Sequence, residues 1–201
     1  EKILKLLPRS KKKNQTIFEN EKIMIHKDTP VFDGQFSNRC YSESVKQAFI
    51  DFRSKAIEEG RYNPEEDEIL TNQWSRIIVH LPYAFQGKRM FPDVFRHDRR
   101  HLSMWEGIVQ EIGPEPIPSD FPDTPDGIEE FEMANDSYRR LISKTPEFKT
   151  FVEERIEKTQ RASSLIGNQY TGSIFLALMS AMESDYIEKV EMEGSHIGLC
   201  G

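Results

Sequence analysis

The chain has 201 residues, 37% apolar and 30% charged, with a net charge of −7, enough for one medium domain with a real core or two small ones. The acidic excess argues against a nucleic-acid partner and against a basic membrane-binding face, and no run approaches the roughly 20 apolar residues of a membrane helix. Two cysteines, Cys40 and Cys200, make neither a zinc spacing nor a disulfide framework, which fits a reducing cytoplasm.

Residues 1–28 read as an exposed basic and polar lead-in. Its apolar piece comes before the charges rather than after them, unlike a signal peptide. Residues 29–201 read as one domain. It opens on "TPVFDGQFSN" (29–38), turn-rich with Asp33-Gly34 at the turn. A helix follows, capped by Ser42 or Ser44. Val45, Ala48, Phe49, Phe52, Ala56 and Ile57 make one apolar stripe at the helical period, and Gly60 ends it. "NPEEDEILTNQWS" then leads into "RIIVHLPYAF", where a strand of Ile77, Ile78 and Val79 carries His80 to its end and Pro82 stops it.

After Pro82 the pattern is helical to about residue 101. A proline-rich excursion spans about 103–140, and its centre, "GPEPIPSDFPDTPDG" (113–127), holds five of the eleven prolines, excluding a core helix or central strand there. A charged helix is predicted around 146–161. Ile174 to Met182 is apolar on nearly every side, which predicts a fully buried helix. "SHIGLCG" closes the chain as a short strand. Helices alternating with short apolar strands indicate an α/β protein, and no internal repeat is present.

Two places stand out as chemistry. His80 at a strand end suits a pocket, since open α/β sheets bind ligands beyond the carboxyl ends of strands; a buried histidine bonded to backbone is the plainer alternative. "GNQYTGS" (167–173) sets Asn168, Tyr170, Thr171 and Ser173 at a helix N-terminus, where free N–H groups suit an anion or a polarised carbonyl oxygen; an ordinary cap is the alternative. His97 and His101 have a zinc-compatible spacing but no third ligand, with Arg99 and Arg100 between them, so they read as a solvated helix end and no metal is expected. Cys40 and Cys200 read as core thiols, and "NPEEDE" and "GIEEFE" as solvated faces.

Three segments together, "PVFDGQFSNRCY" (30–41), "IIVHLPYAFQGKRM" (77–90) and "GNQYTGSIFLALMSAME" (167–183), resemble the second half of the 3-hydroxy-3-methylglutaryl-CoA synthase family in order and spacing. The resemblance runs over about residues 28–201. It implies a thiolase-like, layered αβαβα α/β fold, of which this is a C-terminal half, cut short. It implies an acyltransferase that condenses acetyl-CoA with acetoacetyl-CoA to 3-hydroxy-3-methylglutaryl-CoA and CoA, with these substrates and no cofactor. His80 matches the histidine that polarises the acetoacetyl group, and Asn168 the asparagine that orients the acceptor thioester. Tyr170 and Ser173 would line the same region.

The family often has a lysine where Phe85 stands; Lys88 and Arg89 occupy positions where further basic residues are usual. Phe85 therefore leaves open an acyl-carrier-protein acceptor, as in β-branching condensing enzymes. A non-catalytic thiolase-like binding module is the other alternative. The family's acetylated cysteine and proton-handling glutamate belong to its first half. This chain alone is therefore expected to be inactive, with the N-terminal half as its missing partner and a cytoplasmic homodimer as the complete protein.

Overall fold

The computed structural model describes residues 34–200 apart from 67, 82 and 84; the lead-in of residues 1–28 lies outside them. The first helix, α1, spans Gly34–Glu58. It starts well before Ser42, so residues 34–38 are helix and not the turn that the Asp33-Gly34 pair suggests. Val45, Phe49 and Ala56 are buried, while Phe52 stays at the rim with its ring 5.5 Å from Trp74. Gly60 takes φ +68 just beyond the helix, the left-handed conformation that closes helix ends at glycine.

Strand β1, Trp74–Val79, follows a short 3-10 turn, Leu70–Gln73. Asp98 fixes that turn: its carboxylate accepts from Leu70 N at 3.0 Å, Thr71 N at 2.9 Å and Thr71 Oγ1 at 2.6 Å. Ile77, Ile78 and Val79 are all fully buried, the run expected of a strand covered on both faces. The other strand, β2, is His196–Cys200. The two pair in parallel, with Ile77 opposite Gly198 and Val79 opposite Cys200. One extra residue, Ser75, bulges from β1 near the start of the pairing, and its hydroxyl donates to His196 O at 2.9 Å. Gly198 is required by close approach, since a Cβ there would stand 2.7 Å from the Trp74 ring.

Helix α2, Gln86–Arg99, comes next, where the pattern after Pro82 places one. Its buried Phe91 and Phe95 pack with Phe148 and Phe151 of α5, Pro146–Val152, and with Trp105 of α3, Met104–Ile112. Residues 103–140 are therefore partly helical: α3 fills the start and α4, Pro125–Ile142, the end. The stretch between the two carries only one 3-10 turn, Pro118–Asp120. Thr124 and Thr145 cap α4 and α5, each accepting a backbone N–H three residues on, with proline at the first helical position. Asp93 of α2 holds α4 by accepting from Arg139 Nε at 2.6 Å, and it also accepts from Arg96 at 2.8 Å.

The charged helix continues from α5 through a π-helical turn, Glu153–Glu157, into α6, Lys158–Ile166. Helix α7, Ser173–Glu188, lies against α6 and β1. The Ser180 hydroxyl locks α6 to α7, donating to Lys158 O at 2.9 Å and accepting from Ala162 N at 3.1 Å. The expectation of a fully buried α7 is corrected here. Ser173, Ala177, Ser180, Ala181, Ser184 and Asp185 face inward, whereas Phe175, Met179, Met182 and Tyr186 are largely exposed. Its inward face is made of small residues, so α7 approaches its neighbours closely and keeps its large side chains outside. Mostly helical with one small parallel sheet, the described residues are compatible with an α/β domain. No helix among them is long and apolar enough to cross a membrane.

Candidate active site

β1 ends by delivering His80, and the N-terminus of α7 meets it there. The backbone N–H of His80 donates to Cys200 O at 2.9 Å, extending the parallel ladder one residue past β1. Its carbonyl accepts from the Tyr41 hydroxyl at 2.5 Å, and the two rings stand edge to face with centroids 6.0 Å apart. The Ser173 hydroxyl lies 2.7 Å from His80 Nδ1. It also accepts from Leu81 N at 3.2 Å. The histidine is thus fixed at its N–H, its carbonyl and one ring nitrogen, and the residue is only partly buried.

Tyr41 comes from α1, and burial followed by the nearby Cys200 thiol pushes its phenol well above the usual range. It therefore stays a neutral hydroxyl at physiological pH and can serve as the donor to His80 O. Cys200 is itself pushed up to about 11 by burial, which leaves a thiol and not a nucleophilic thiolate. Cys40, read as a core thiol, is exposed on α1. That correction has a plain cause: α1 turns Val45 and Phe49 inward and Cys40 away.

Asn168 and Tyr170 stand on the loop that feeds α7. Gly167 ends α6 with φ +89, and Asn168 Oδ1 then accepts from Tyr170 N at 2.7 Å. This turn ties down the oxygen end of the amide and leaves its NH2 group as the donor end. Tyr170 is held at φ +50 with 77% of its surface exposed. A non-glycine residue in the left-handed region with an exposed ring carries backbone strain of the kind that gathers at binding sites. Ser173, expected to line the same region, is the first residue of α7. It is fully buried and touches His80 and Leu81.

The residues beyond Pro82 fall into a second group. Phe85, just before α2, is 60% exposed. Lys88 donates to Glu157 at 2.8 Å, and Arg89 lies over the Tyr83 ring at 5.7 Å from its centroid. His97 lies in α2, and His101, beyond its end, has Nε2 3.4 Å from the Tyr62 hydroxyl. Among the described residues no cluster of three histidine, cysteine or carboxylate groups has the arrangement of a metal site.

The sequence singled out His80, Asn168, Tyr170 and Ser173, and the structure brings His80 and Ser173 into direct contact. Tyr41 was missed as a site residue. Its position next to Cys40 within "FSNRCY", one of the three matching segments, was the available signal.

The sequence profile of "Hydroxymethylglutaryl-coenzyme A synthase C terminal" matches residues 15–200. Two curated relatives are similar over most of the chain, both described as hydroxymethylglutaryl-CoA synthase. The one from Haloferax volcanii is 28% identical over 168 residues, which is 84% of this chain and 35% of the relative. The one from Saccharomyces cerevisiae is 24% identical over 180 residues, covering 85% of this chain and 32% of the relative. The chain spans about a third of the length of these relatives. No solved structure gives a significant match. Matched over nearly its whole length, the chain belongs to the hydroxymethylglutaryl-CoA synthase C-terminal family.

Proposed function

We propose that the chain is the acceptor-binding portion of a hydroxymethylglutaryl-CoA synthase-like acyltransferase with a thiolase-like layered fold, joining acetyl-CoA to acetoacetyl-CoA. The observation that carries this reading is His80, held at the end of β1 by three separate hydrogen bonds and only partly buried. In the condensation, the glutamate of the portion this chain does not span takes a proton from the acetyl methyl, and the carbon so freed attacks the acceptor ketone. A carbon–carbon bond forms and the carbonyl π electrons move onto oxygen. A donor fixed at that oxygen lowers the barrier because it is stronger against the developing alkoxide than against the ketone. His80 is that donor in this proposal. The Asn168 amide, with its oxygen end already engaged, holds the acceptor thioester, and the exposed Tyr170 ring flanks it.

The acetylated cysteine and the proton-handling glutamate are assigned to the portion that the longer relatives have and this chain does not span. The chain by itself is then inactive, because losing a covalent nucleophile removes the pathway.

A second reading concerns the acceptor's carrier. Phe85 is exposed where the family often has lysine, Lys88 is engaged by Glu157, and Arg89 lies on Tyr83. With these basic groups occupied, an acceptor borne on an acyl carrier protein fits as well as free CoA.

The test is made on the protein from its native source, exposed briefly to acetyl-CoA, acid-quenched and weighed intact. A species much heavier than 23.5 kDa carrying one acetyl group supports the synthase reading. In that protein His80→Ala should lower acceptor-dependent turnover by about 100-fold or more while acetyl loading persists. Turnover with acetoacetyl-CoA against the carrier-bound acceptor separates the two carriers, and Phe85→Lys should raise CoA use. A native 23.5 kDa species without an adduct would overturn the proposal in favour of a binding module, and an H80A variant with undiminished turnover would overturn the role given to His80.

A further inference from the structure

We infer that Ser173 is a positioning residue, which acts through His80 by holding the neutral imidazole as its Nε2–H tautomer. The argument is a count of protons and lone pairs around one buried oxygen. Ser173 Oγ is fully buried and has two partners, Leu81 N at 3.2 Å and His80 Nδ1 at 2.7 Å. The Leu81 amide can only donate, so it occupies one lone pair of the serine oxygen. The hydroxyl proton then needs an acceptor, and Nδ1 is the one within reach. If Nδ1 carried the proton instead, the serine oxygen would accept twice and its own proton would be buried without a partner, a state that costs more than a hydrogen bond returns. The hydroxyl therefore points at Nδ1, and the ring proton sits on Nε2.

This arrangement uses the two elements as they pack. Ser173 is the first residue of α7, and Leu81 follows His80 directly. One hydroxyl thus reads the position of the strand-end backbone and the orientation of the ring together. Tyr41 holds the carbonyl of His80 and not its ring nitrogens, so its part is to fix the backbone. The tautomer follows from this chain's own contacts. Its consequence for turnover rests on the acceptor-binding reading, in which Nε2–H is the donor aimed at the acceptor oxygen.

The test reads the tautomer without any substrate. In the 15N-labelled protein, long-range 1H–15N correlation distinguishes a protonated from a bare ring nitrogen, at a pH where His80 is observed neutral. Expected for the wild type is protonated Nε2 and bare Nδ1. Ser173→Ala should lower the ratio of the two tautomers by about tenfold, the worth of one hydrogen bond made to only one of them. Ser173→Thr, which keeps the hydroxyl, should restore the ratio, and Tyr41→Phe should leave it within about twofold, since it removes a bond to the carbonyl alone.

A wild-type protein with the proton on Nδ1 would overturn the inference directly, even if no variant folds. An unchanged ratio in folded Ser173→Ala would overturn it too. In the acetyl-loaded enzyme, Ser173→Ala should lower kcat by about tenfold with KM changed less than about threefold, the pattern of a bond that matters in the transition state. A normal tautomer in a protein that performs no condensation would sink the function and leave the role of Ser173 standing.

Discussion

Asp185→Asn offers a sharp perturbation of the packing that positions the site. Asp185 lies near the end of α7 and is fully buried, and the Arg76 guanidinium that donates to it, from β1, is 8% exposed. Arg76 also donates through Nη1 to Ser75 O at 2.6 Å and Glu154 O at 3.0 Å, and Lys158 Nζ lies 3.3 Å from the same aspartate oxygen. Replacing the carboxylate by an amide keeps the shape and removes one charge. Lys158 retains Glu188, but Arg76 is left as a buried cation without a counter-charge.

Two estimates bear on the size of the loss. Two unit charges at about 4 Å with an effective dielectric of 20 attract by about 4 kcal/mol. Removing one partner of a buried pair typically costs about 3–5 kcal/mol. With a slope of about 2 kcal/mol per molar urea, the midpoint of unfolding should fall by about 1.5–2.5 M. Equilibrium urea denaturation followed by tryptophan fluorescence makes the measurement, since Trp74 opens β1 beside Arg76. The companion variant Arg76→Met/Asp185→Leu removes both charges and should recover at least half of the loss, because the expense lies in the unpaired charge and not in the absence of the bridge. A loss below about 1 kcal/mol for Asp185→Asn would refute this reasoning, as would a double variant worse than the single one.

The remaining predictions concern other points of the same scaffold. Gly198→Ala would place a methyl 2.7 Å from the Trp74 ring, so thermal unfolding should show a loss of about 1–3 kcal/mol from overpacking and the Trp74 emission should shift. Ile78→Ala, at a fully buried position in β1, should cost about 2–5 kcal/mol in urea denaturation.

His97 is held down to about 4, mainly by burial and then by Arg100, Arg96 and Lys46 against the opposing Asp93. Since the unfolded chain has the usual value of 6.5, it binds more protons than the folded one between these limits. The contribution of His97 is complete above pH 6.5 and is lost as pH falls through 4. Half-burial and solvent screening limit it to about 1–2 kcal/mol. His97→Gln should flatten the stability–pH curve in that window, as seen by comparing urea midpoints at pH 7 and pH 4.5.

Much of this architecture is legible in the sequence because single stretches carry their own signals. β1 is a run of β-branched residues closed by Pro82, and α2 begins soon after it. The helix expected around 146–161 is present, and the structure carries it across the π turn to Ile166. α4 is harder to see, because only Gly127, Tyr138 and Ile142 are buried on it, too few to draw a stripe through the prolines that precede it. α1 starts early because "GQFSNRC" has no strong helix breaker after its glycine, whereas the apolar stripe begins only at Val45.

The site divides in the same way. His80 at a strand end is a local feature. Its bond to Ser173 joins residues 93 apart, and its bond to Tyr41 joins residues 39 apart. Neither pairing has a local signature; both depend on how α7 and α1 pack against β1. The outer face of α7 shows the converse. Hydropathy reports how apolar Phe175 and Met179 are, and it contains no information about which side of the helix other elements cover.

Two bonds, one at each end, set α7 against β1. Arg76 and Asp185 join the beginning of the strand to the end of the helix, and His80 and Ser173 join the end of the strand to the beginning of the helix. The helix therefore runs against the strand direction. Four residues of strand cover about 13 Å, whereas the twelve residues from Ser173 to Asp185 cover about 18 Å of helix. The two ends cannot both be joined by short side chains along parallel lines. The long guanidinium side chain of Arg76 takes up the difference at one end. At the other, serine is so short that its oxygen can reach His80 only if the backbones themselves are in place. The charged end thus secures the packing of α7 with some tolerance in geometry, and the serine end converts that packing into the orientation of one ring. A loss of stability and a loss of ring orientation should accordingly be separable by substituting one end or the other.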